Sequence, residues 1–96
     1  MIVGFGDKVT EDIFVGRNSR DARQIPRDIW SIVHRKLDML NAAADLRDLR
    51  VPPANRLEKL RGDLARFHSI RVNDQWRIVF CWTPSGPSEV DIRDYH

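Results

Sequence analysis

Residues 68–82 read HSIRVNDQWRIVFCW, and side-chain alternation leaves this stretch few ways to fold. Apolar and polar residues alternate on both sides of Asn73-Asp74, the pattern of two strands joined by a tight turn. A slip of one residue in their pairing would turn every side chain to the other face. A two-residue loop of Asn73 and Asp74 pairs Ile70 with Arg77 and puts an arginine among the apolar groups. A three-residue loop of Asn73, Asp74 and Gln75 instead aligns Val72 with Trp76, Ile70 with Ile78 and His68 with Phe80. Burial selects this second register. His68, Ile70, Val72, Trp76, Ile78, Phe80 and Trp82 then form one nearly continuous apolar face, where His68 reads as a packed structural histidine. Ser69, Arg71, Arg77, Val79 and Cys81 take the opposite face.

The segments on either side set the fold class. MIVGF reads as a short first strand. KVTEDIFVG reads as a brief helix capped by Asp7 and stopped by Gly16, and RNSRDARQ as a loop. Pro26 fits the first turn of a helix, and RDIWSIVHRKLDMLNAA spaces Trp30, Val33, Leu37, Leu40 and Ala44 in steps of three and four, a core-facing stripe. Ile29, Ile32 and Met39 widen that stripe, as core or as a docking face. His34 reads as an ordinary helix residue. ADLRDLRVPPANR allows a short helical turn that Pro52 and Pro53 end. From Arg56 the period becomes two, with strands expected in RLEKL, HSIRV, WRIVFCW and EVDIRDY, and turns in RGD, ND and TPSGPS. Helices followed by a run of strands predict an α+β fold, an antiparallel β-sheet with helices packed on one face.

The 96 residues, 42% of them hydrophobic, suit one domain spanning 1–96. Apolar runs are only a few residues long, and MIVGFGDK has glycine and an acid where a secretory segment would be apolar, so neither a membrane partner nor export is expected. The lone Cys81 offers neither a disulfide nor metal-ligand spacing and fits a cytoplasmic location. No glycine-rich phosphate loop, paired-cysteine metal motif or nucleophile elbow is present, so no cofactor or metal is expected.

The net charge of +2 announces no partner by itself; its distribution says more, although taken alone it fits a charged face that keeps the domain soluble. Arg56, Lys59, Arg61, Arg66, Arg71 and Arg77 cluster in the strand region, and arginine, the better planar phosphate ligand, heavily outnumbers lysine. Alternation in EVDIRDY turns Val90 and Ile92 inward and leaves Asp91, Arg93 and Tyr95 on the other side, with Arg71 and Arg77 if the strands are neighbours. Such a face suits single-stranded RNA, guanidinium groups meeting phosphates and aromatic rings stacking on bases. A solvated face with pairs such as Arg93 with Asp91 or Glu89 fits the spacing equally. The terminal His96 reads either as a tail or as a proton carrier for phosphodiester cleavage, with Arg61 and Arg77 to neutralise the growing charge.

LRDLRVPPANRLEKLRGD, FHSIRVNDQWRIVFCW and the closing VDIRDYH, together with FGDKVTEDIFVG and the central helix, resemble the HigB-type toxins of the RelE superfamily of ribosome-dependent mRNA interferases. The resemblance implies a microbial-RNase-like α+β fold that cuts mRNA in the ribosomal A site without metal, the RNA 2′-hydroxyl attacking the adjacent phosphate. It implies catalytic roles for Asp94, Tyr95 and His96, with Tyr95 stacking or orienting substrate and His96 acting as acid or base, and for Arg77 as transition-state stabiliser. Where some relatives carry a histidine and a lysine, this chain has Glu58 and Arg61, and Arg66-Phe67 stand where many have a glycine followed by another residue. Arg61 keeps the charge but is a poor proton carrier, while Glu58 is either a base or the ion-pair partner of a neighbouring Arg or Lys. Arg56, Lys59, Arg71 and Arg93 are expected to bind RNA. The implied partners are a HigA-type helix-turn-helix antitoxin, the ribosome and mRNA. The alternative is a catalytically inactive RNA-, ribosome- or antitoxin-binding protein of the same fold.

Overall fold

The computed structural model describes residues 1–94; Tyr95 and His96 lie outside the described residues. Helix α1 spans Lys8–Val15. Asp7 caps it as expected, its Oδ1 accepting from the Thr10 N–H at 2.9 Å. Gly16 closes it at φ 80°, a left-handed position that favours glycine, and the next N–H, of Arg17, returns to the Asp12 carbonyl at 2.8 Å.

Two polar residues of α1, Thr10 and Asp12, are fully buried. Asp12, 0% exposed, accepts from Ser19 Oγ at 2.6 Å, Arg17 Nη1 at 2.7 Å and Lys8 Nζ at 2.9 Å. The Ser19 hydroxyl first, then the Lys8 ammonium, hold its carboxyl below the usual range. A folded-state value below the unfolded one makes this stabilisation complete above the ordinary aspartate pKa of about 3.9 and lost as pH falls through the lowered value. Asp12→Asn is therefore expected to lower the melting temperature more at pH 7 than at pH 3, as thermal melts at the two pH values will check.

Pro26 precedes a 3-10 turn, Arg27–Ile29, that leads into α2, Trp30–Ala42. Val33, Leu37 and Leu40 are wholly buried, and half-buried Trp30 donates its indole N–H to the Ile25 carbonyl at 2.9 Å. Ala44 departs from the expected stripe and is exposed. Its N–H bonds the Asp48 carboxylate at 3.0 Å, because Asp45 and Asp48 form a capping box that starts a separate turn, Leu46–Arg50. Ile29 and Ile32 belong to the core, which answers the docking-face alternative for both.

The sheet has β1 (Glu58–Lys59), β2 (Phe67–Arg71), β3 (Trp76–Thr83) and β4 (Gly86–Asp94), in the order β1-β2-β3-β4 and antiparallel throughout. The central hairpin has the register chosen by burial: His68 faces Phe80 and Ile70 faces Ile78, and the Val72 N–H reaches the Trp76 carbonyl at 2.9 Å. β1 is shorter than RLEKL, since Arg56 sits in a left-handed turn at φ 45° and a 3-10 turn, Gly62–Leu64, follows Arg61. β4 begins earlier than expected. The turn contracts to Pro84-Ser85, with Gly86 at φ 128° against the Met1 carbonyl, where a Cβ would stand 2.2 Å from that oxygen.

MIVGF does not form the expected strand. It lies alongside β4 with one parallel bridge, Phe5 to Val90, and the hydrogen bond Gly6 N–H to Val90 carbonyl at 2.8 Å, because the Asp7 cap turns the chain away into α1. Both helices pack on the face carrying Ile70, Val72, Ile78, Phe80, Val90 and Ile92. Thr10 Oγ1 of α1 accepts the Ile92 N–H of β4 at 2.9 Å in the buried seam between them. The opposite face is apolar at one end. Leu60, Phe67 and Val79, with Leu64 and Cys81, form a second small cluster there. No helix among the described residues is long and apolar enough to cross a membrane.

Candidate functional site

Beyond that small cluster, the open face of the sheet carries a row of like charges. Arg71, Arg77 and Arg93 stand in register across β2, β3 and β4, Arg77 directly opposite each of the other two. Like charges facing one another across strands are destabilising. Each is partly offset by a carboxylate: Arg71 by Asp74, Arg77 by Glu58 at 3.7 Å, and Arg93 by Asp91, which accepts from its Nε at 2.9 Å and Nη2 at 3.3 Å. Burial first of all raises the pKa of Asp91, against the opposing pull of the Arg93 hydrogen bond.

Arg77 is the most constrained of the row. Its Nε donates to Ser69 Oγ at 2.8 Å, and its Nη2 donates to the Arg56 carbonyl at 2.7 Å. Only 11% of its side chain is exposed, and Ser69 beneath it is 0% exposed. The Arg56 carbonyl is held there by the turn before it. Asn55, also 0% exposed, donates its Nδ2 to the carbonyls of Leu49 at 3.1 Å and Val51 at 3.4 Å, and its Oδ1 accepts from the buried Lys36 ammonium on α2. Burial lowers the Lys36 pKa, with the charges of Arg35 and Arg71 adding to it. Ser69 and Asn55 are positioning residues that the sequence reading missed. Alternation does put Ser69 beside Arg77, but nothing in the PPAN stretch signals that Asn55 reaches α2.

The remaining expected site residues are spread over both faces. Glu58 pairs in register with Ser69, which brings it to Arg77, whereas Lys59 pairs with His68 and so falls on the helix-side face. Arg56 contributes its carbonyl. Arg61 is exposed in the bend after β1, and its backbone carbonyl accepts from Leu64 N–H at 3.2 Å. Asp94 faces Trp76 across the sheet, one step out of alternation with Arg93, and accepts from Gln75 Nε2 at 3.0 Å. The structure therefore unites Arg77, Glu58 and the Arg71–Arg93 row, and sets Lys59 on the helix-side face and Arg61 in the bend after β1. Tyr95 and His96 lie outside the described residues. Among the described residues no three His, Cys, Asp or Glu side chains converge as metal ligands.

His68 fits the packed role expected of it. Its ring lies on Phe80 with centroids 6.2 Å apart, and burial, then the Lys59 charge, lowers its pKa so that the neutral form is favoured near pH 7. His34 bonds the Phe14 carbonyl at 3.1 Å and faces Asp38 at 3.3 Å, an ordinary helix residue. Arg66, in the turn before β2, lies over the Phe67 ring and pairs with Glu89 at 3.0 Å.

A family model described as "RelE-like toxin of type II toxin-antitoxin system HigB" matches residues 4–96. "Toxin HigB-1" of Vibrio cholerae serotype O1 is 43% identical over 82 residues, covering 85% of this chain and 84% of that one. An uncharacterized protein of Haemophilus influenzae is 44% identical over 57 residues, 59% of this chain and 56% of that one. With a HigB relative so similar over most of both chains, and with the α+β fold of helices on one face of an antiparallel sheet, the chain belongs to the HigB-like family of RelE-like toxins of type II toxin–antitoxin systems, which implies an antitoxin as its partner.

Proposed function

We infer that this protein, as one domain over 1–96, is a cytoplasmic ribosome-dependent endoribonuclease that cuts translated mRNA without a metal and is neutralised by a HigA-type helix-turn-helix antitoxin. The observation that carries the reading is the row of Arg71, Arg77 and Arg93 at the end of the sheet where β4 reaches Asp94, the residue before Tyr95 and His96 in the sequence. Three cations in register repel one another, a repulsion their carboxylates offset only in part, and a phosphodiester lying over them would reduce it further. In the reaction the 2′-oxygen bonds to phosphorus and the bond from phosphorus to the 5′-oxygen breaks. The 2′-hydroxyl gives its proton to a base, and an acid returns one to the leaving oxygen. Arg77 donates to the phosphate as its charge grows. Its pre-set geometry, held by Ser69 and the Arg56 carbonyl, supplies that stabilisation without rearrangement.

His96 is assigned to one proton transfer, with Tyr95 orienting the substrate beside it. Glu58 is the candidate for the other. A phosphate arriving at Arg77 competes with its 3.7 Å ion pair and releases that carboxylate. Arg56, Arg61, Arg71 and Arg93 hold the RNA backbone, and Asp94 acts through the end of β4. Brief induction followed by mapping of mRNA 5′ ends tests the reading. New ends bearing a free 5′-hydroxyl are expected within translated messages, and growth arrest with messages left whole would sink it.

A second reading rests on the same ion pair. With Arg77 mostly buried and bonded within the fold, and Glu58 committed to it, the chain would bind RNA, ribosome or antitoxin without cutting. Ribosomes would then retain the protein while mRNA stays intact, and substitution of His96 would leave the biological effect unchanged.

A further inference from the structure

We propose that a cavity on the helix-side face, at the open edge of β1, is a second RNA-binding site that takes a backbone phosphate together with the flat base beside it. The cavity measures about 170 Å³ and is lined by Leu46, Arg47, Arg50, Leu57, Lys59 and His68. That is several times the roughly 30 Å³ share of one liquid water, so it has room for a phosphate and part of an adjoining ring. Arg47, Arg50 and Lys59 are the charged groups around it, and no carboxylate lines it. Arg47 is engaged by Asp45 at 3.2 Å, but Arg50 and Lys59 have no side-chain ion pair among the described residues. Two uncompensated cations at the mouth of a concave site with apolar walls match a ligand that is anionic at one end and flat and apolar at the other.

His68 strengthens the match. Its Nδ1 is buried without a hydrogen-bond partner, a cost that native interiors seldom carry without a reason. The neutral ring, backed by Phe80, forms part of the cavity's wall, and the tautomer with its proton on Nε2 keeps a buried donor from going unmet at Nδ1.

RNA is favoured over an acidic protein segment by continuity. Lys59 of the cavity and Glu58 of the candidate cleavage site are consecutive residues of the edge strand, pointing to opposite faces. A single strand crossing that edge touches both. The ligand class rests on the proposed ribonuclease reading, but the site does not require that cleavage occur.

The test is a titration of the full chain with a short 2′-O-methyl oligoribonucleotide, which offers no attacking hydroxyl, followed by NMR of the His68 imidazole. Saturable movement of the His68 signals is expected. Arg50→Gln with Lys59→Gln, both at exposed positions, is expected to weaken binding at least tenfold and to reduce the slope of log affinity against log salt by about one per phosphate contact removed. Because the RNA cannot be cut, this result is independent of whether wild-type protein cleaves mRNA. Unmoved His68 signals at saturating RNA, or unchanged affinity in the double variant with its amide spectrum intact, would overturn the proposal. So would movement of His68 by a Glu-rich peptide and not by RNA, which would assign the cavity to a protein partner.

Discussion

His96→Ala is expected to lower the rate of mRNA cleavage on programmed ribosomes by about 10²–10⁴-fold, the usual contribution of one positioned acid or base. Arg77→Ala is expected to cost about 10²–10³-fold, the loss typical of one pre-set donor to a growing negative charge. The two variants separate by stability. Removing the Arg77 guanidinium strips the partner from Ser69 Oγ and leaves two arginines where a three-membered row stood. Its melting temperature is therefore expected to shift where that of His96→Ala is not. Arg77→Lys keeps the charge but not the two-directional donation to Ser69 and Arg56, so it is expected to recover stability without recovering rate. Single-turnover cleavage assays beside thermal melts decide the matter. Full activity in Arg77→Lys would show that a point charge suffices and that the held geometry is unimportant.

Asn55→Ala is expected to destabilise the fold by about 3 kcal/mol, since it leaves a buried ammonium and two carbonyls without their partner. The ammonium is that of Lys36, 6% exposed, and the carbonyls are those of Leu49 and Val51. For a domain of this size that is roughly 12–24 °C in Tm. The turn that sets the Arg56 carbonyl against Arg77 loosens with it, so cleavage is expected to fall even at temperatures where the variant is folded. Lys36→Met removes the buried charge instead. Combined with Asn55→Ala it is expected to cost less than the sum of the two single changes, which a double-mutant cycle by thermal melts will read. Strict additivity would show that the two side chains do not act as a pair.

The hairpin and the second helix were legible because a one-dimensional period maps directly onto a face. Burial alone chose the Asn73-Asp74-Gln75 loop, and the same alternation put Arg71, Arg77 and Arg93 together once the strands proved to be neighbours. The caps of α1 were equally local, Asp7 and Gly16 acting on backbone groups within a few residues. Errors arose where a segment's fate depended on something distant. MIVGF has strand-like composition, yet lies along β4 with a single bridge before α1 draws it off. Ala44 has the right spacing for the core stripe, yet Asp48 takes its N–H. Lys59, grouped by sequence with the other cations of the strand region, is set by alternation across β1 on the helix-side face rather than beside Arg77.

The candidate site divides in the same way. Sequence alone determined which side chains share a strand face, because alternation is a property of the extended backbone itself, and its motifs pointed to Asp94, Tyr95 and His96. Only the tertiary structure decided which of the described groups meet. Arg77 is held by Ser69, by the Arg56 carbonyl and loosely by Glu58, and that turn is fixed by Asn55 reaching Lys36 on α2. Each of these contacts joins segments separated along the chain, and their energy comes from burying polar groups that must find partners. No local pattern encodes which distant partner a buried amide or guanidinium will find, since that is settled only when helix, turn and sheet close over one another.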